Sequence, residues 1–82
     1  MRLFIANDVL QDYTYGMIVV AAPSEDAILE VISNSELGKI GTYDEQEHGI
    51  SNAVPEEVRG TYIDHGEVNG PARLIAYCWG GA

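Results

Sequence analysis

Residues 17–22 (Met-Ile-Val-Val-Ala-Ala) form an unbroken apolar run with three consecutive β-branched members. A run without polar alternation suits a central strand covered on both faces, or one near the middle of the sheet. Residues 3–6 (Leu-Phe-Ile-Ala) are a second apolar run and read as a first strand that can continue to Val9 and Leu10. Between the two, residues 12–16 read as a turn, with Gly16 able to take positive φ at no steric cost. The run at 3–6 is too short for a signal peptide or a membrane span.

A helix is expected next, over roughly 24–37. Ser24 is a good N-cap residue, since its hydroxyl can accept from a backbone N–H two or three residues on. Glu25 and Asp26 place negative charge at the positive end of the helix dipole. Ala27 stands where Glu or Gln would complete a capping box. At ~100° per residue, Ala27, Ile28, Val31 and Ile32 share one face, and Glu25, Asp26, Glu30 and Glu36 lie opposite. Leu29 and Leu37 break the pattern. Gly38 is placed to end the helix, with Lys39 following favourably for the dipole.

Residues 39–60 read as an acidic, glycine-containing loop region. They hold Asp44, Glu45, Glu47, Glu56 and Glu57, with Lys39 and Arg59 as the only bases. Loops this long are often functional. Pro55 suits the first position of a short helical turn through Val58. Residues 61–65 and 72–79 read as two further strands joined as a hairpin through 66–71. Tyr62, Tyr77 and Trp79 are expected on the open face or an edge, and Gly80-Gly81-Ala82 as a flexible tail. The order is ββαββ. An α+β fold follows, with an antiparallel sheet of three to four strands and one helix packed on one face.

The chain has 82 residues, enough for one domain and one hydrophobic layer. So short a chain hides only roughly 60–65% of its unfolded surface, and its stability should be on the order of 5 kcal/mol. Its apolar content of 46% and its aromatic and β-branched residues mark a folded chain rather than a disordered acidic one. Thirteen acids against four bases leave a net charge of −9. That charge repels nucleic acid and anionic membranes and attracts basic surfaces, besides keeping the protein soluble. A single cysteine, Cys78, excludes an internal disulfide, which for so small a domain points to the cytoplasm.

Signatures of chemistry are sparse. There is no GxxxxGK[ST] loop and no GxGxxG after a strand. The two histidines, His48 and His65, have no HxH or HxxxH spacing, and Asp64 and His65 should point to opposite faces of a strand. No metal or other cofactor is expected. Cys78, between Tyr77 and Trp79, reads as a buried, inert small hydrophobe. No catalytic residues are assigned, and a binding protein is expected rather than an enzyme. Asp8 and Asp12, with Tyr13 and Tyr15 beside them, could form an aromatic binding site, or simply a capped loop with ordinary aromatic packing. The acidic residues are the main surface signal: Glu25, Asp26, Glu30 and Glu36 from the helix, and Asp44, Glu45, Glu47, Glu56 and Glu57 from the loop. Duplex DNA carries about 18 charges across the ~30 Å of such a domain, a density that carboxylates gathered on one face could approach locally.

The stretches 8–17 (DVLQDYTYGM) and 76–81 (AYCWGG) resemble small phage and prophage proteins to which no activity is attached. In size, charge and compactness the chain is also similar to small acidic anti-defence proteins of phages, anti-CRISPR proteins among them. That resemblance implies stoichiometric inhibition in the host cytoplasm, by covering a nucleic-acid site on a CRISPR–Cas or other nucleic-acid-handling complex. The partner would be a protein with a basic surface, with no direct binding to nucleic acid or membrane. Two other readings stand beside it. One is a nucleotide-binding or sequestering module that stacks a base on its tyrosines and Trp79. The other is a homodimer formed through an apolar edge strand.

Overall fold

A computed structural model describes residues 1–11, 14–37 and 58–81. Strand β1 (Arg2–Val9) and strand β2 (Gly16–Ala22) pair antiparallel from Arg2↔Ala22 to Val9↔Gly16. A 3-10 turn (Glu25–Ala27) leads into helix α1 (Ile28–Ser33). Strands β3 (Ile63–Glu67) and β4 (Arg73–Cys78) complete a four-stranded sheet in the order β3-β1-β2-β4, with every neighbouring pair antiparallel. The α+β class, the ββαββ order and the central place of residues 17–22 are as the sequence predicts.

Helix α1 lies chiefly over β2 and β4. Beneath it, Phe4 and Ala6 of β1 and Ile18, Val20 and Ala22 of β2 form the core with Ile28, Ile32, Leu37, Val58 and Tyr62. Ala27, Val31, Leu74 and Tyr77 pack half-buried around them. The helical face expected to be apolar is therefore the one that meets the sheet.

The expected hairpin of residues 61–79 does not form: β3 and β4 stand at opposite edges. The two most apolar strands take the middle, where one face lies against the core. The strands that carry Asp64, His65, Glu67 and Arg73 are left for the edges, where charge is tolerated. Residues 68–72 carry the chain past the ends of β1 and β2, about 14 Å for three strand spacings. The Val68 amide donates to the Met1 carbonyl at 2.9 Å on the way.

The helix is also shorter than expected. Ser33, Asn34 and Ser35 offer the backbone alternative hydrogen bonds and weaken a helix there. Ser33 Oγ donates to the Glu30 carbonyl at 3.1 Å, and Ser35 Oγ to that of Ile32. The Leu37 amide then donates to Ser35 Oγ at 3.2 Å, which turns Leu37 back into the core. Ser24 has the extended backbone of an N-cap, but its hydroxyl makes no capping bond; its carbonyl accepts from the Ala27 amide at 3.1 Å. The expected cap at Gly38, Lys39, most of the 39–60 loop and the turn at 55–57 lie outside the described residues.

Each paired ladder slips by one residue. In β3, His65 and Gly66 together oppose Leu3, with Gly66 at φ 108, where a side chain would be strained. In β4, Ile75 is the extra residue between the pairs Val19↔Ala76 and Val20↔Leu74. The expected tail is held: the Gly80 amide donates to the Leu10 carbonyl at 2.9 Å, and Thr14 Oγ1 to the Gly81 carbonyl at 3.0 Å. A Cβ on Gly80 would collide with the Thr14 carbonyl, so only glycine fits against that loop.

Candidate binding surface

The four carboxylates expected on the helix are all exposed, but only Glu30 lies on α1, Glu25 and Asp26 being in the 3-10 turn and Glu36 past the helix end, and they divide between two grooves. Glu30 and Glu36 line one of about 540 Å³ between α1 and β4, with Asn34, Ser35 and Arg73. Glu25 and Asp26 line another of about 360 Å³ on the far side of the helix, with Leu29, Arg59 and Tyr62. Each groove thus carries two carboxylates. The loop carboxylates Asp44, Glu45, Glu47, Glu56 and Glu57 lie outside the described residues. The described residues hold seven carboxylates and three arginines, a net of −4, which leaves −5 of the −9 to the others.

Two of the described arginines have partners that fix them. Arg2 Nε and Nη2 donate to the two carboxylate oxygens of Asp64 at 2.9 and 3.0 Å, a bidentate pair tying β1 to β3. The Gly66 amide adds a third bond to Asp64 at 2.7 Å. The Arg2 hydrogen bonds, then the Gly66 amide, hold the Asp64 carboxyl below its ordinary range. Arg73 Nη1 donates to the carbonyls of Asn69 and Pro71 at 3.0 and 2.9 Å. Sequence spacing gave no sign of either arrangement, because both depend on which strands become neighbours.

The aromatic residues do not gather. Tyr62 is buried in the core, where the open face or an edge is expected for it, and its hydroxyl donates to the Val58 carbonyl at 2.6 Å. Burial pushes its phenol up to about 12. Tyr77 is half-buried at the opposite edge; burial first, then the charge of Glu36 and a hydrogen bond with it, raises its phenol. Tyr62 and Tyr77 therefore sit on either side of the sheet's two central strands, about 14 Å apart in strand spacings, too far to grip one base. Trp79 is 43% exposed and Tyr15 60% exposed, while Asp12 and Tyr13 lie outside the described residues.

Cys78 is exposed rather than buried, because β4 is an edge strand and Cys78 pairs with Met17 on the face away from the helix. His65 is exposed, and His48 lies outside the described residues. Among the described residues, no three His, Cys, Asp or Glu side chains gather as a metal site, and no helix is long and apolar enough to cross a membrane.

The two stretches 8–17 and 76–81 meet at one end of the sheet. Met17 pairs with Cys78, and Gly80 is bonded to Leu10. Comparison with protein-family models, with curated proteins and with solved structures returned no match.

Proposed function

We propose that this protein is a non-catalytic binding protein that presents its carboxylate-flanked helix to a basic protein surface. The observation that carries the reading is the exposure of Glu25 and Asp26 in the 3-10 turn, Glu30 on α1 and Glu36 just past its end, with a groove on either side of α1. Two grooves with a helical ridge between them offer separate seats for arginine or lysine side chains, each supplied with two carboxylates. A basic surface that accepts such a ridge is one that otherwise holds nucleic acid, so occupancy alone would inhibit. The reading extends to a phage-derived inhibitor of a bacterial defence complex, of the anti-CRISPR kind, acting in the host cytoplasm.

The test is a pull-down from bacterial lysate with the tagged protein, eluted by rising salt, and repeated with Glu25→Lys, Asp26→Lys and Glu30→Lys combined. A defined basic complex that elutes as salt rises and is lost with the triple variant supports the reading. Unchanged capture by a folded triple variant overturns it. Glu36 is left intact because of its bond with Tyr77.

A further inference from the structure

We infer that the sheet face opposite α1 is a self-association surface that pairs two copies of this chain. Cross-strand pairing puts Leu3, Ile5, Met17 and Val19 of the two central strands on that side, with Ile63 beside Ile5, Ala76 beside Val19, and the exposed Ile75 in the β4 bulge next to Ala76. None of the described elements packs on it. Ile63 is 53% and Ile75 40% exposed, and the four central side chains are only half-buried. A contiguous apolar face of this kind marks an interaction site rather than ordinary surface scatter.

Charge selects a second copy as the occupant. The ionisable side chains of the described residues on this side stand toward its margins: Asp8 beside the β1 bulge, His65 opposite Leu3 in the edge strand β3, and Arg73 opposite Ala21 with its guanidinium turned to backbone carbonyls. The helical carboxylates are all on the other side. Face-to-face pairing therefore places the two acidic helices on the outside, about 30 Å apart across two helix–sheet layers, beyond the ~10 Å screening length at 0.1 M salt. A mainly apolar face is also self-complementary, as a two-fold interface requires.

The area fits a weak pair. Four strands about 4.8 Å apart and five to six residues long give roughly 19 by 18 Å in projection. With side-chain relief, two such faces remove on the order of 1,000 Å² together, at the lower edge of stable interfaces.

Sedimentation velocity in reducing buffer, over a concentration series to about 500 µM, tests this directly. The expected result is a monomer–dimer shift in the wild type that the double variant Ile63→Lys, Ile75→Lys weakens about tenfold or more. Leu29→Lys, on the helix side, should leave it intact. Both Ile63 and Ile75 are exposed, so the variant should keep its circular dichroism spectrum and cooperative melt. Cys78 supplies a readout that needs no variant: its labelling by a bulky maleimide should slow as wild-type concentration rises. A monomer throughout with constant Cys78 labelling overturns the inference and leaves the face to a different protein. So does a dimer that the folded double variant retains, which would place the contact at a sheet edge.

Discussion

Tyr62 shows how one side chain ties three effects together. Its ring fills the core beside Phe4, its hydroxyl satisfies the Val58 carbonyl, and its burial disfavours the phenolate. The folded-state value of about 12 lies above the ordinary 10, so the folded chain holds this proton where the unfolded chain releases it. That contribution is fully present below pH 10 and is lost as pH rises toward 12, at a cost of about 1–2 kcal/mol. Denaturant titrations at pH 8 and pH 11 should show the drop. Tyr62→Phe should lower stability at pH 8 by about 1–2 kcal/mol, for the orphaned carbonyl, and leave only the smaller alkaline loss from Tyr77. An unchanged alkaline drop in the variant would place its cause elsewhere. Gly80 makes a comparable point about the backbone. Gly80→Ala forces the terminal residues off the Thr14 carbonyl and should break the Gly80–Leu10 and Thr14–Gly81 bonds, at a cost of about 1–2 kcal/mol. Faster exchange of the Gly80 amide, with the central strands still protected, is the expected signature.

At the scale of elements, the informative feature is where α1 stops. Ser33 and Ser35 look alike in sequence, yet their roles differ. Ser33 only back-bonds to Glu30, whereas Ser35 also accepts from the Leu37 amide and so places a buried side chain. Ser33→Ala should therefore be neutral or stabilising by about 0.5 kcal/mol through helix propensity, while Ser35→Ala should cost about 1 kcal/mol. Thermal melts should move in opposite directions, the second falling by about 4–8 °C. The same contrast explains what could be read in advance. The apolar runs at 3–6 and 17–22 and the face Ala27-Ile28-Val31-Ile32 are periodic signals, and each led to the right element. The end of the helix depended on competition among three short polar side chains. The separation of β3 from β4 depended on which strands most needed a central place, a comparison across the whole chain. Cys78 and Tyr62 were misplaced for that reason: an edge strand left the cysteine exposed, and the turn at Val58 brought a partner to the tyrosine hydroxyl.

The described residues form an amphipathic unit, with the carboxylates of residues 25–36 on the helix side and a mainly apolar sheet face behind. The exposed carboxylates were legible because helical spacing fixes their side, but their division into two grooves and the open sheet face emerge only once the strand order is known. If both proposed surfaces act, salt should move them in opposite directions. Docking of the helix on a basic partner is an attraction between unlike charges, so it weakens as salt screens it. Pairing of two sheets brings together two chains of −9 each, so it is opposed by repulsion, and salt should strengthen it. The size of that effect follows from the layer spacing. Helices about 30 Å apart still interact at 0.01 M salt, where the screening length is also about 30 Å, and hardly interact at 0.1 M and above. Dimerisation should therefore tighten between 0.01 and 0.1 M salt and then level off, while capture of the partner declines across the whole range. Sedimentation and pull-down at matched salt concentrations measure both. Self-association that falls with salt would mean that unlike charges hold the copies together, which the apolar sheet face cannot do and an acidic helix docked on an arginine could.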